Sequence, residues 1–343
     1  MNIATKLYPQ TIWGENYQGN FDDIINDISK AGINTIIAPV LQGSRYLFPI
    51  ENQSSPGKWN MVDFQAKCQA RGIAFVPEFP LFHDPDTFKN IPQYRPVNKN
   101  GDYLTPQNWY HPICPSNTEY MKYRLNFLFE AIEVFDPAII SLDFLQFPYL
   151  PGHPLYSTGT SGLPEFCYCD FCKAKFQEFS GQNEPEKYPA FWLEFRQETI
   201  TYVPVLIAEE IERRGRQTKI LAQLPSVPSP GSNTNLQFNT GINFEQWNNI
   251  VDVVSPHLYT HQINAENEWA LTFFEEIRQT TAMHIIPELD VPFYSVEPEE
   301  NLQIGELIEY LRDMDIAAIS LYHWELLMDN DILRDYLVEI SEK

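Results

Sequence analysis

The chain is short of positive charge. Its 343 residues carry 23 Lys and Arg against 46 Asp and Glu, a formal net charge of −23. Such a surface repels phosphate backbones and anionic lipid, and no basic patch interleaved with aromatics offsets it. Nucleic acid and a membrane are therefore not expected as partners, whereas a neutral ligand is compatible. Long apolar runs are also missing. No stretch reaches 18 apolar residues, so no transmembrane helix is expected. The N-terminus, MNIATKLYPQ, lacks a basic region followed by an apolar run and a small-residue cleavage site, and does not read as a secretory signal. No glycine-rich first turn of the dinucleotide-binding kind is present. No His-x-His follows the first strand-like segment, which disfavours a barrel hydrolase built on a catalytic metal. Five cysteines, an odd count with three inside six residues, do not suit a disulfide scaffold. These features point to a reducing, cytoplasmic setting.

What the chain does have is alternation. Strand-like segments at 2–8, 33–40, 73–79, 138–144, 219–224, 251–259, 283–289 and 316–324 are separated by helical stretches or long loops. Asn20 caps a helix with Phe21, Ile24, Ile25 and Ile28 on one stripe, and Asp23 stands three residues on. The run SNTE at 116–119 matches a capping box with Ser116 as the cap. A helical region at about 188–214 contains Pro204, which should kink or interrupt it. Eight strands with intervening helices predict an α/β fold, a (β/α)₈ TIM barrel, as one domain over residues 1–343. Long loops at about 80–115 and 146–187 would lie over its catalytic face. A doubly wound open sheet is the competing architecture, and it would need only five or six strands.

Three of the strand-like segments end in a carboxylate: IAFVPEFP with Glu78, IISLDFLQFP with Asp143 and HIIPELDVP with Glu288. In a barrel of this kind the strand C-termini form the mouth of the site. Side chains alternate along a strand. Ser141 and Asp143 therefore share an inward face, as do Val76 and Glu78, and Ile286 and Glu288. The same parity aligns Ser255, His257 and Tyr259 in the sixth segment, and Ser320, Tyr322 and Trp324 in the eighth. Glu325 falls on the opposite face of that segment. In the first segment Lys6 and Tyr8 compete for the inward face. Carboxylates, imidazoles and aromatic rings in one lining suit a sugar, whose C–H faces stack and whose hydroxyls take hydrogen bonds. Two facing carboxylates are also the minimum apparatus for breaking a glycosidic bond. Two acids held that close cannot both be charged cheaply, so one is expected to be protonated near neutral pH. Asp84 and Asp290 are expected to be structural or solvated. His83 and Trp109, in the first long loop, are candidates for the rim of the pocket.

The run CYCDFC brings Cys167, Cys169 and Cys172 together, and Cys114 lies upstream. Four thiolates are what a closed, structural zinc site takes. Cys114 is the ligand furthest away in sequence, and His111 or His153 could stand in its place. Cys68, in a helical stretch, reads as a core residue.

The segment CYCDFCKAKFQEF resembles the cysteine motif of the family 42 glycoside hydrolases, the zinc-containing β-galactosidases. That resemblance implies a (β/α)₈ barrel with its acid/base at the end of strand four, here Asp143, and its nucleophile at the end of strand seven, here Glu288; it makes Asp143 the acid expected to be protonated near neutral pH. It also implies structural Zn²⁺ on Cys114, Cys167, Cys169 and Cys172, and a neutral carbohydrate substrate. The segments CPSN (114–117) and LDFLQFP (142–148) resemble uncharacterised glycosidase-like barrel proteins. Where the β-galactosidases carry Asn–Glu at the end of strand four, this chain has Leu142–Asp143. The shorter acid sets the proton donor back by about one C–C bond. The expectation is a glycosidase with catalytic Asp143 and Glu288, and with Glu78, His257, Tyr259, Tyr322, Trp324, His83 and Trp109 binding the sugar. The alternative is a non-catalytic carbohydrate-binding barrel. A homo-oligomer is compatible with either.

Overall fold

The computed structural model describes residues 1–49, 60–106, 109–150, 163–227, 232–292, 298–314 and 316–341. Eight parallel strands close into a barrel: β1 (Asn2–Lys6), β2 (Thr35–Pro39), β3 (Ala74–Pro80), β4 (Ile139–Asp143), β5 (Lys219–Leu224), β6 (Val253–Leu258), β7 and β8 (Ala318–Tyr322). β7 is in two pieces, His284–Ile285 and Glu288–Asp290. Pro287 stands between them and has no N–H to give the ladder. Closure is parallel throughout: Asn2 is in register with Ala318 across β1 and β8, and Glu288 with His257 across β7 and β6. Helices surround the strands, which makes this the (β/α)₈ barrel expected from the alternation.

Strand alternation sorts the side chains into two sets. Ile3, Ile36, Phe75, Phe79, Ile140, Leu142, Val254, Ile319 and Leu321 face outward and join the main core under the helices. Inside the barrel, Ala4, Ile37 and Val76 form a separate small cluster with Ile139 packed on it. This apolar plug lies on the β1–β4 side of the interior. The next inward positions along the same strands are Lys6, Glu78, Ser141 and Asp143, so the interior turns polar about one layer above the plug.

The helices follow the sequence signals with two exceptions. Asn20 caps Phe21–Lys30 as expected, its side chain accepting from the Asp22 and Asp23 amides. The helix Thr118–Phe135 is capped by Asn117, not Ser116; Asn117 accepts from the Tyr120 amide, and Ser116 Oγ accepts instead from Cys172 Sγ at 3.2 Å. Ser116 is drawn into the cysteine cluster, and the capping position moves on by one residue. The helix Pro189–Arg213 runs through Pro204 without interruption. Pro204 is buried there among Ile200, Val203 and Ile207, so packing along one face offsets the lost backbone hydrogen bond. Among the described residues no helix is long and apolar enough to cross a membrane.

Candidate active site and cysteine cluster

The strand C-termini open into a cavity of about 660 Å³. Its floor is made by Lys6, Glu78, Asp143, His257, Tyr259 and Tyr322, and its walls include Trp109, His83, Phe144, Gln146 and Tyr149. Glu78, Asp143, His257, Tyr259 and Tyr322 thus meet as the strand parity implied. Tyr259 follows the end of β6 and still turns inward. Lys6 and Tyr8 both line the cavity, because β1 ends at Lys6 and the chain curls over the barrel there.

Lys6 is the centre of the floor. Its Nζ lies 3.1 Å from Glu78 Oε2, 3.5 Å from Asp143 Oδ2 and 3.7 Å from Glu288 Oε1. Burial alone would lower the lysine's pKa, but Glu288, Glu78 and Asp143 together carry it well above the ordinary value. The carboxyls around it behave differently from one another. Burial pushes Glu78 up to about 7; Lys6 opposes the rise, and Asp143 and Glu288 add to it. Burial would raise Glu288 as well, but Lys6, then His257, and hydrogen bonds from Tyr259 and Ser320 outweigh it and hold the group below the usual carboxylate range. Glu78, read from sequence as a sugar-binding group, is thus pushed toward neutral pH, by burial first.

Glu288 is 0% exposed and lies beneath the cavity floor, behind Tyr259 and Lys6. Asp143 is the more open acid, with 14% of its side chain exposed; its Oδ1 accepts the Phe144 amide at 2.8 Å. A chain of hydrogen bonds runs across the barrel beside them. Gln223 Nε2 donates to Ser141 Oγ at 3.0 Å, Ser141 Oγ donates to Glu78 Oε2 at 3.4 Å, and His257 Nε2 meets Gln223 Oε1 at 3.0 Å. Burial lowers the His257 pKa against the pull of Glu288. Its ring stacks on Tyr259 at 4.5 Å, nearly parallel.

On the wall, His83 Nε2 is 2.7 Å from the Trp109 carbonyl, and its ring stacks on Phe144 at 4.8 Å. Trp109 is 54% exposed, at the rim where the first loop was expected to place it. Trp324 does not belong to the cavity. β8 ends at Tyr322, so strand alternation stops there, and Trp324 opens the helix Trp324–Met328. It is 0% exposed in the core, its Nε1 donating to Tyr17 Oη. Glu325, from the same helix, reaches the cavity and accepts from Thr11. Asp84 is buried, not solvated: it caps the helix Pro85–Asn90 and lies 3.8 Å from Arg124. Asp290 accepts the Gln262 amide at 2.9 Å and is structural. Gln223 and Gln146 are site residues that sequence reading missed, and Lys6 and Tyr8, placed there only as rivals for the inward face of β1, were not assigned to the site. For Lys6 the signal was present, since Ala4 and Lys6 share the inward parity of β1.

The four cysteines of the motif come together. The Sγ atoms of Cys114, Cys167, Cys169 and Cys172 lie within 4.8 Å of one another, all buried, in a cluster that could hold a metal ion. Cys169 stands at the N-terminal boundary of the helix Asp170–Ser180, without a side-chain capping bond, and Cys172 sits in its first turn. The Val97 amide donates to Cys167 Sγ at 3.4 Å. Tetrahedral Zn–S bonds of about 2.3 Å put sulfurs about 3.8 Å apart, which this cluster accommodates. His111 is not part of it, its Nδ1 lying 2.8 Å from the Trp109 carbonyl. His153 lies outside the described residues. Cys68 is a core residue, and burial pushes its thiol up to about 12.

No protein-family model matches the chain, and no curated protein is similar to it in sequence. Solved structures are similar in fold. The glycoside hydrolase domain of PgaB (BpsB) from Bordetella bronchiseptica matches with a TM-score of 0.71 at 10% identity, over 98% of this chain and 98% of that one. The cold-adapted β-galactosidase from Rahnella sp. R3 matches at 0.70 and 11% identity, over 100% of this chain and 55% of that chain. The β-galactosidase from the psychrophilic Marinomonas ef1 matches at 0.68 and 10% identity, over 100% of this chain and 59% of the other. The chain thus spans a little over half the length of these β-galactosidases. At such identities the likeness is one of fold: this is a (β/α)₈ barrel similar in fold to those of diverse glycosidases.

Proposed function

We propose that the protein is a glycoside hydrolase acting on a neutral glycoside or oligosaccharide in the cavity at the strand C-termini. The observation that carries this reading is the carboxylate cluster around Lys6 at the floor of a cavity walled by aromatic rings and amides. Environments that drive neighbouring carboxyls apart, here Glu78 upward and Glu288 downward, suit a site that handles both protons and charge. In this reading Asp143, the acid open to the cavity, is the general acid/base. Glu288, held ionised, is the nucleophile or base, and the Tyr259 hydroxyl must give way for the sugar to reach it. Glu78, His257, Tyr259 and Tyr322 hold the ring, and His83 and Trp109 form the rim. Residues 1–343 act as one barrel domain, and the setting is cytoplasmic. Cys114, Cys167, Cys169 and Cys172 bind structural Zn²⁺, thiolates being soft ligands that favour it. Four sulfurs leave no coordination position open for a substrate or an activated water.

One observation favours a second reading, a carbohydrate-binding barrel without turnover: Glu288 is screened from the cavity by Tyr259 and Lys6. A screen of aryl glycosides and oligosaccharides separates the two. Turnover that is lost in both Asp143→Asn and Glu288→Gln supports the hydrolase. Unchanged turnover in either variant removes that residue from the mechanism. Sugar binding with no turnover supports the second reading.

A further inference from the structure

Lys6 closes a network that ties the acids of three strands together. The ammonium has three N–H donors, and three carboxylates surround it: Glu78 from β3, Asp143 from β4 and Glu288 from β7. Its side chain is 2% exposed. Two buried carboxylates and a half-buried third without a cation, or a buried ammonium without carboxylates, would each carry a large desolvation cost. A second path joins two of these acids, Glu78 and Glu288. Gln223 donates to Ser141, which leaves Gln223 Oε1 to accept from His257 Nε2, and His257 stands 3.6 Å from Glu288. Lys6 and Ser141 both address Oε2 of Glu78, so a proton on that carboxyl belongs on Oε1.

We propose that Lys6 is a positioning residue that holds Glu78, Asp143 and Glu288 in one cluster and sets how many of them are charged. Its consequence for catalysis rests on the glycosidase reading above; its consequence for charge does not. Among the described residues, Lys6 is the ammonium in contact with all three acids, and the phenols and imidazoles beside it do not supply a second cation. The phenols of Tyr8, Tyr259 and Tyr322 are kept neutral by burial. The imidazoles of His257 and His323 are held below their ordinary pKa, again by burial first. The Tyr322 ring, with its centroid 5.6 Å from Nζ, adds a cation–π contact but no charge.

The test is thermal unfolding of the full chain between pH 5 and pH 8 for Lys6→Met, Lys6→Arg and the double variant Lys6→Met/Glu78→Gln. Without the cation the buried carboxyls rise in pKa. Stability present at low pH is then lost as they ionise. The Tm deficit of Lys6→Met should therefore grow by about 4–7 °C from pH 5 to pH 8. Lys6→Arg should keep the parent's pH slope, and the double variant should recover most of the loss at pH 8. A deficit of equal size at every pH would make Lys6 a packing residue and overturn the proposal. If Lys6→Met does not fold, recovery of folding in the double variant supports it, and failure of both overturns it. On any glycoside the parent turns over, Lys6→Met should lower kcat about 100-fold with KM within about threefold, and move the acid limb of kcat/KM up by about one pH unit. An unmoved limb counts against the role. A parent without turnover that shows these pH slopes keeps Lys6 in its role and removes the glycosidase reading.

Discussion

Glu78 and Glu288 touch the same ammonium, yet burial wins at one and the neighbours win at the other. Glu288 receives Tyr259 and Ser320 as donors in addition to Lys6, whereas Glu78 shares its Lys6 and Ser141 contacts on a single oxygen. The difference has a sign in stability. Glu78 is raised from 4.5 to about 7, so its contribution is present below pH 4.5 and is lost as pH rises through 7. Glu78→Gln removes that dependence. Between pH 4.5 and pH 8 the parent should lose about 3 kcal/mol more than Glu78→Gln, measured by denaturant unfolding across the range. Glu288 runs the other way: its contribution is present above the unfolded pKa and fades as pH falls through the depressed one. The division of labour between Asp143 and Glu288 is tested with leaving groups. With an activated aryl glycoside, Asp143→Ala should spare bond breaking and Glu288→Ala should abolish it, read by pre-steady-state release of the aryl group. The reverse pattern exchanges the two roles. Strand parity alone placed Glu78, Asp143, His257 and Tyr322 on the lining. It did not reveal the ion cluster, because charge complementarity between β1, β3, β4 and β7 exists only once the barrel closes.

At the level of elements, short-range signals carried the segments whose ends are decided locally. Asn20 caps its helix because its own side chain meets its own neighbours' amides. The cap at Ser116 failed because a cysteine from 56 residues away took the hydroxyl. Asn117→Ala should cost about 1 kcal/mol in denaturant unfolding, and Ser116→Ala should leave the helix end intact. Arg124, on the same helix, is a longer-range anchor. Its guanidinium donates to the Pro80 carbonyl at 2.7 Å, the Gly43 carbonyl at 2.6 Å and the His83 carbonyl at 3.3 Å. It thereby holds the mouth end of β3 and the backbone that carries His83. Arg124→Met should cost about 3 kcal/mol and raise KM more than it lowers kcat, since it leaves buried carbonyls unpaired at the rim rather than at the acids.

Across the molecule, the cysteine cluster joins two segments that wall the cavity. Cys114 follows the loop bearing Trp109 and His83, and Cys167, Cys169 and Cys172 belong to the segment after β4. Backbone contacts reinforce the junction: the Tyr168 amide donates to the Val97 carbonyl at 2.7 Å, and Asn98 bridges to Phe166. Buried Arg196 adds bonds to the Phe166 and Asn239 carbonyls. Metal should therefore act on the walls more than on the acids. Purified protein should contain about one zinc per chain, and a chelator should lower Tm by about 10 °C. Molecules still folded should keep kcat, with KM raised; elemental analysis, unfolding curves and steady-state kinetics check the three parts.

The order of strands, the period of the helices and the spacing of CxCxxC are local properties, and they were legible in the chain itself. They determined a (β/α)₈ barrel, two acids, Glu78 and Asp143, on the lining of the cavity at its mouth, and the four cysteines as one group, all of which the structure shows. The tertiary structure decided what depends on closure. Trp324 left the lining because β8 stopped one turn of the alternation earlier than the apolar pattern suggested. Glu288 sank below the floor because Tyr259 from the end of β6 and Lys6 from β1 cover it. Lys6, an ordinary lysine in a short first strand, became the counter-ion of three carboxylates once eight strands brought their inward faces within a few ångströms. A strand's own pattern tells which way a side chain points, but what it meets there is set by residues hundreds of positions away.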